Sequence, residues 1–126
     1  MTPVELAERE MEVMQVLWDR GSATVSEARE RLDDPLAYTT VLTVFRTLEE
    51  KGFVRHEEEG RAYRYYPLIE RHQARRGAVG RLLDRAFDGS AELLMAHLVA
   101  ERELSPDQIR RIRRLLDERL RDGRAT

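Results

Sequence analysis

The sequence predicts a mainly α-helical protein with a small β-hairpin, in the order of a winged helix-turn-helix followed by a helical dimerisation domain. Apolar residues recur at helical spacing in three successive segments between residues 5 and 51. Two alternating runs around a turn follow them between residues 53 and 67. Three further apolar helical stripes fill the C-terminal part, so we expect one domain over residues 1–70 and a second over residues 71–126.

The first two helices are bounded by stop signals. Residues 5–19 form an amphipathic stretch that ends before Gly21, and residues 25–32 form a shorter one. Pro35 ends the second stretch, because a proline disfavours the helical conformation of the residue that precedes it. A short turn is therefore expected between the second helix and the third.

The third helix is predicted over residues 38–51 and has an unusual composition. Its core stripe is Val41, Val44, Phe45 and Leu48. The opposite side holds Thr39, Thr43, Arg46 and Glu50, flanked by Leu42, Thr40 and Thr47. Threonine is a mediocre helix former, because its branched Cβ loses χ1 freedom against the preceding turn. Four threonines away from the core therefore raise the question of what this surface does.

A β-hairpin is predicted next, with strands over residues 53–57 and 62–67 and a turn around the sequence Glu-Glu-Gly. Pro67 ends the second strand and suits a sheet edge, because proline cannot donate a ladder hydrogen bond. Three helices followed by a hairpin is the element order of a winged helix-turn-helix.

Three more helices are predicted from residue 69 onward. The second is capped by Ser90 and the third by Ser105, with Pro106 at its first helical position. So short a segment cannot build a strong separate core, and a second copy of the chain is the economical cover for its apolar stripes. The alternative is a monomer in which the stripes fold back on the winged helix. The residues expected at the dimer interface are Leu82, Leu94, Leu98, Ile109, Ile112, Leu115, Leu116 and Leu120.

The third helix of a winged helix-turn-helix enters the DNA major groove, and the hairpin forms the wing. Threonine offers a hydroxyl to phosphates or bases and a methyl to thymine, and arginine offers a fork to guanine or phosphate. The residues predicted to contact double-stranded DNA are Thr39, Thr40, Thr43, Arg46, Thr47, Arg61 and Arg64. The alternative is a neutral, exposed threonine face beside wing arginines that are only solvated charges.

The net charge of the predicted winged helix is unfavourable for DNA binding. Residues 1–70 carry nine Arg/Lys and 15 Asp/Glu, a net charge of −6, and residues 71–126 carry 13 Arg and nine acids, a net charge of +4. A negative winged helix favours a second hypothesis, a protein-interaction module in which DNA contact is vestigial. The threonine face, Arg46 and the wing arginines favour the first.

Composition excludes several other classes. The chain has no cysteine, which excludes disulfides, zinc fingers and thiol catalysis. It has no Ser-His-Asp order, Gly-rich phosphate loop or His-Glu-x-x-His motif, so we expect neither an enzyme nor a cofactor nor a metal site. His97 lies on the apolar side of its helix and is interpreted as a buried histidine. No apolar run approaches 18 residues and no leader is recognisable, so we expect a cytoplasmic protein without membrane insertion.

Three segments carry a family resemblance. They are "EVMQVLW" in the first helix, "LAYTTVLTVFRTLEEKGFVRHEEEGRAYRYYPLI" from residue 36, and "ELSPDQIRRIRRLL" from residue 103. Together they resemble the penicillinase and methicillin-resistance repressors of the BlaI/MecI family, to which the copper repressor CopY is also similar. The resemblance covers about residues 5–120. It implies a homodimeric transcriptional repressor whose winged helix binds one half of a palindromic operator and whose C-terminal helices dimerise.

The resemblance also implies how repression is relieved. In the drug-resistance members a membrane sensor with a zinc-protease domain responds to β-lactams, and the repressor is cut in its C-terminal domain at an Asn-Phe pair. Counting back from the shared Leu104-Ser105, that pair falls on His97-Leu98, where the residue types differ. Copper control requires C-terminal Cys-x-Cys pairs, which the chain lacks. A third alternative is a MarR-like regulator that senses a small molecule between the dimer helices.

Overall fold

The computed structural model describes residues 4–124 of the chain. These residues form six helices and three short strands, and this mainly helical architecture with a small antiparallel sheet confirms the predicted fold class. The elements are α1 (Glu8–Arg20), β1 (Ala23–Thr24), α2 (Val25–Arg31), α3 (Tyr38–Glu50), β2 (Val54–Glu59), β3 (Ala62–Pro67), α4 (Arg71–Ala86), α5 (Ala91–Glu101) and α6 (Pro106–Arg124). The predicted helices agree with these to within one turn at their ends.

The starts of α1 and α2 follow from local hydrogen bonds that glutamates make with the backbone. The Ala7 N–H donates to Glu10 Oε1 at 2.7 Å, which starts α1 at Glu8 rather than at residue 5. At α2 the Glu27 N–H donates to Thr24 Oγ1, and the Thr24 N–H donates to Glu27 Oε1, both at 3.2 Å. This reciprocal pair is a capping box, and it satisfies two backbone donors at the helix start.

The sheet has the strand order β1-β3-β2, so the hairpin gains a third strand that the sequence did not reveal. Strand β1 is only two residues long and pairs with Tyr65 and Arg64 of β3. The expectation of an edge strand ending at Pro67 is wrong, because β3 is central. Pro67 is nevertheless tolerated, since it pairs only with Val54 of β2 and lies beyond the part of β3 that β1 reaches.

The core lies between the first three helices and the inner face of the sheet. The buried apolar residues of these elements include Val13, Met14, Leu17, Val41, Phe45, Leu48, Val54 and Tyr65. The rings of Phe45 and Tyr65 are stacked with centroids 4.3 Å apart, which joins α3 to β3. The stripe predicted on α3 is therefore its core face, with Val44 half-buried at the margin.

The chain divides into two compact units, of which the first ends at Leu82 and the second begins at Leu83. The first turns of α4 belong to the first unit. Ala74 is buried in its core, and the Trp18 Nε1–H donates to the Ile69 carbonyl at 2.9 Å just before the helix. This compact unit thus extends past residue 70, where the functional boundary was predicted.

The second unit has no core of its own. In residues 83–123 no side chain is buried. The interpretation of His97 as a buried histidine is wrong, because its side chain is 52% exposed and its Nδ1 lies 3.6 Å from Glu101 Oε1. The His97 ring lies beside the edge of the Phe87 ring, and no residue of the largely apolar α5 is buried by residues 4–124.

Candidate nucleic-acid interface

The face of α3 away from the core is made of short polar side chains and one arginine. Thr39, Thr40, Thr43 and Arg46 are exposed, and Thr47 is half-buried. The structure therefore brings the five predicted α3 residues together on one face. The first turn of α3 carries no acidic residue, so the positive end of the helix dipole is not neutralised there.

Two of these threonines use their hydroxyl hydrogens inside the helix. Thr43 Oγ1 donates to the Thr39 carbonyl at 2.9 Å, and Thr47 Oγ1 donates to the Thr43 carbonyl at 3.0 Å. Their methyl groups and oxygen lone pairs remain for a partner. The hydroxyls of Thr39 and Thr40 form no side-chain hydrogen bond with any residue between 4 and 124, so they keep a donor as well.

Two of the predicted arginines form no ion pair with any residue between 4 and 124. Arg46 on α3 and Arg61 at the hairpin turn are exposed, and no carboxylate in the described part of the chain lies within ion-pair distance of either. Arg9 and Arg55, in contrast, are paired with Asp34 and Glu57 at 2.8 and 2.9 Å. Arg46 and Arg61 are therefore available to an external anion.

The third predicted arginine, Arg64, is engaged within the protein. Its Nη1 donates to Glu27 Oε1 at 2.9 Å, and its Nε and Nη2 donate to the two carboxylate oxygens of Glu59, also at 2.9 Å. Nη1 also lies 3.3 Å from Ser22 Oγ, and the side chain is 19% exposed. Arg64 thus ties the hairpin to the start of α2.

The charges of this cluster reinforce one another. The hydrogen bonds from Arg64, and then the backbone N–H of Thr24, hold the pKa of Glu27 below its ordinary value. Arg64 likewise lowers the pKa of Glu59, and both carboxylates raise the pKa of Arg64, which therefore stays charged. The Thr-x-x-Glu spacing of the cap was visible in the sequence, but the pairing of Glu27 with Arg64 was not.

We expect Glu27→Gln to lower the thermal midpoint by about 3 °C near neutral pH. Glutamine keeps an acceptor for the capping box but loses the charge that pairs with Arg64. Because folding lowers the pKa of Glu27, its stabilisation is complete above the ordinary glutamate pKa and is lost as the pH falls through the lowered value. The difference from wild type should therefore shrink as the pH falls below the ordinary glutamate pKa and vanish once the pH is below the lowered value.

Thermal unfolding at neutral and acid pH measures both effects. Glu57→Gln is the matched control, because Glu57 lies on the same hairpin and, among residues 4–124, forms an ion pair only with Arg55 on the same strand. Its midpoint should change less at neutral pH. A Glu27→Gln shift of the same size at both pH values would contradict the assigned role of the Glu27 charge.

A second set of contacts joins the wing to α3, through residues that the sequence did not single out for function. The two carboxylate oxygens of Glu49 lie 2.8 and 2.6 Å from His56 Nδ1. The His56 ring stacks on Tyr63 with centroids 4.3 Å apart. Glu49 is on α3, His56 on β2 and Tyr63 on β3, so three elements meet here. No local pattern signals such a contact, because it depends on the tertiary packing.

The charge of the first unit is less negative than the hairpin boundary suggested. Residues 1–82 include four further arginines of α4, so they hold 13 Arg/Lys and 15 Asp/Glu, a net charge of −2. Glu10, one of these acids, is buried and paired with Lys51 Nζ at 2.7 Å. The charge objection to a nucleic-acid partner is correspondingly weaker.

The residues predicted for the dimer interface are apolar and uncovered in the single chain. Leu82, Leu98, Ile109, Leu115, Leu116 and Leu120 are exposed, and Leu94 and Ile112 are half-buried. The predicted cleavage pair, His97 and Leu98, lies inside α5 with both side chains exposed. Within residues 4–124, no helix is long and apolar enough to cross a membrane, and no cluster of three or more potential ligands suits a metal ion.

Comparisons with known proteins agree with this architecture. The family model described as penicillinase repressor matches residues 6–118. The chain is 35% identical over 117 residues to the transcriptional regulator BlaI of Mycobacterium tuberculosis (strain H37Rv), an alignment that covers 90% of this chain and 83% of that protein. It is 25% identical over 116 residues to the penicillinase repressor of Bacillus licheniformis, covering 90% and 91%. The solution structure of the DNA-binding domain of the repressor BlaI is similar with a TM-score of 0.51 and 28% identity, over 57% of this chain and 90% of that one.

Proposed function

We propose that this chain, which belongs to the penicillinase repressor family, represses transcription by binding operator DNA through α3 and the wing. The main support is the composition of the exposed face of α3. The exposed face of α3 is built from Thr39, Thr40, Thr43 and Arg46, short or forked side chains that let a helix approach base edges. The names of its relatives, a penicillinase repressor and the DNA-binding domain of a repressor, support the same conclusion.

The chemistry of the face fits a major groove. The methyl groups of Thr43 and Thr47 suit the C5-methyl of thymine, since their hydroxyl hydrogens are used in the helix. The free hydroxyls of Thr39 and Thr40 lie in the first turn, where backbone N–H groups and the helix dipole attract a phosphate. Arg46 pairs with guanine or with a phosphate.

The wing supplies positive charge from its turn. Arg61 follows Gly60, whose φ of +63° permits the tight connection between the strands, and it is free to bind the DNA backbone. We assign Arg64 a different role from the one the sequence suggested. Because its guanidinium is bound to Glu27 and Glu59, it positions the wing for Arg61 and does not itself reach phosphate.

Arg46→Ala should weaken specific binding by about 1–3 kcal/mol and leave non-specific binding much less affected, because a base contact is lost. The measurement is titration of the purified full chain with DNA from its own upstream region and with scrambled DNA, over a salt series. Arg61→Ala is the matched control. It should weaken binding to both DNAs alike and reduce the salt slope by about one counterion, as expected for a phosphate contact.

These DNA titrations distinguish a transcriptional repressor from a protein-interaction module. Tight, salt-sensitive binding to one upstream sequence supports the repressor. Equal weak binding of the wild type to both DNAs would overturn it and favour a protein partner for the winged helix. Unchanged operator affinity in Arg46→Ala would show that Arg46 does not contact the operator. The proposed contacts of the other α3 residues would be unaffected.

We further propose a homodimer formed by the second unit. The support is that residues 83–123 bury no side chain in the single chain and leave seven large apolar residues exposed: Leu93, Leu98, Val99, Ile109, Leu115, Leu116 and Leu120. A two-fold dimer places two winged helices on one DNA and so requires an operator with matching two-fold symmetry. Each half-site then contributes its own phosphate contacts, and the affinity depends on both being held together.

We also propose that repression is relieved by proteolysis of the second unit under the control of a membrane sensor-protease. The His97-Leu98 bond lies in α5, a helix without a buried residue, and such helices open locally at small free-energy cost. A cut there would separate α6 from the rest of the second unit and remove interface area. Mass spectrometry of the chain recovered from induced cells would identify the bond; an intact chain under full induction would exclude the mechanism.

A further inference from the structure

We infer that Tyr63 contacts the DNA backbone from the wing and that His56 and Glu49 hold it in position. The inference rests on the proposed operator binding and extends it to a residue on the hairpin. Tyr63 is 43% exposed, and its hydroxyl has no hydrogen-bond partner among residues 4–124. An exposed tyrosine with a free hydroxyl is a good donor to a phosphate oxygen.

Tyr63 lies on the side of the sheet that faces α3. Side chains two residues apart on a strand share a face, and Tyr65 of the same strand stacks on Phe45 of α3. Tyr63 therefore continues this row toward the tip of the wing, past the point where α3 covers the sheet. Tyr66 belongs to the opposite face, where the guanidinium of Arg55 lies 4.3 Å from its ring centroid.

The orientation of Tyr63 is fixed from α3. Its ring stacks on His56 at 4.3 Å with an angle of 28° between the planes. His56 is in turn held by Glu49, whose oxygens lie 2.6 and 2.8 Å from Nδ1. Glu49 is one helical turn from Arg46. The position of the Tyr63 ring is thus linked, through His56 and Glu49, to the helix that carries the proposed DNA-binding face.

Tyr63 has an acidic neighbour on the hairpin, because Glu58 of β2 is its direct partner across the two strands. The ring of Tyr63 nevertheless stacks on His56, and this stack leaves the hydroxyl at the end of the ring free. The proposed contact to DNA is made by that hydroxyl.

The chemistry predicts a contact that is neutral and independent of sequence. A hydroxyl donating to a phosphate releases no counterion, unlike an arginine at the same place. Loss of the hydroxyl should weaken binding to every DNA sequence and leave the salt slope unchanged. This pattern differs from that of Arg61, which should change the slope, and from that of Arg46, which should change the specificity.

The test uses the full chain, DNA from its upstream region and scrambled DNA. Tyr63→Phe keeps the ring stacked on His56 and removes only the hydroxyl, and it should bind both DNAs about three- to tenfold more weakly with an unchanged salt slope. Tyr66→Phe makes the same change on the opposite face and should bind like wild type. Unchanged affinity of Tyr63→Phe, with a wild type that prefers its upstream DNA, would overturn the inference and leave the proposed function intact.

A double-mutant cycle tests the positioning role of His56. His56→Ala should weaken binding in the wild-type background and have little further effect in the Tyr63→Phe background, because both changes remove the same contact. An equal effect in both backgrounds would overturn the positioning role. A wild type that fails to distinguish its upstream DNA from scrambled DNA would overturn the proposed function, and this inference with it.

Discussion

Replacing Leu115 and Leu116 of α6 with aspartate is expected to yield a monomer that binds operator DNA at least about a hundredfold more weakly than wild type. These leucines are 65% and 56% exposed in the single chain. If they form the dimer interface, two carboxylates per chain would be desolvated there without a partner, which is strongly unfavourable. A monomer keeps one winged helix per DNA and loses half of the phosphate contacts. Sedimentation and DNA titration at the same protein concentration measure both consequences.

Arg114→Asp is the matched control for this experiment. Arg114 lies on the side of α6 opposite the leucine stripe, so an aspartate there should leave the dimer intact. The single variant Leu116→Asp should fall between the control and the double variant. A double variant that still sediments as a dimer would show that α6 is not the interface, and the stripes of α4 and α5 would have to supply it.

The pattern of α3 could be predicted in full because it is local. Helical periodicity places Val41, Phe45 and Leu48 on one side of α3 and the threonines on the other, whatever the helix packs against. The structure agrees on both faces. The hairpin is also local, since its two strands are separated only by the Gly60-Arg61 turn. Short-range patterns therefore suffice to predict α3 and the hairpin when each is taken separately.

What could not be predicted depends on contacts between distant residues. Strand β1 is two residues long and exists only because β3 pairs with it. The pairing of Arg64 with Glu27 is an example, because Glu27 is 37 positions earlier and no spacing rule joins the two residues. The sequence likewise showed that His97 lies in a largely apolar helix, α5, but could not tell whether anything covers that helix. The proposed role of Tyr63 depends on the same kind of tertiary information.

The stack of Phe45 on Tyr65 leads to the second prediction, that Phe45→Ala lowers the free energy of unfolding of the first unit by about 3–5 kcal/mol. Phe45 is fully buried, and its ring lies 4.3 Å from that of Tyr65. Alanine would leave a cavity and would remove the stacking contact of Phe45 on Tyr65, which joins α3 to β3. Since small domains are stable by only about 5–15 kcal/mol, a large part of the stability would be lost. Urea unfolding at fixed protein concentration measures the change.

Two milder variants show whether the loss comes from this stack. Phe45→Leu keeps most of the volume and removes the aromatic pairing, so it should cost roughly 1–2 kcal/mol. Thr43→Ala changes the exposed side of the same helix, on the proposed DNA-binding face. Its free energy of unfolding should stay within about 0.5 kcal/mol of the wild-type value. A loss below about 1 kcal/mol for Phe45→Ala would contradict the role of the stack. Opposite faces of one helix thus serve different purposes: Phe45 packs α3 against the sheet, and Thr43 lies on the face proposed to bind DNA.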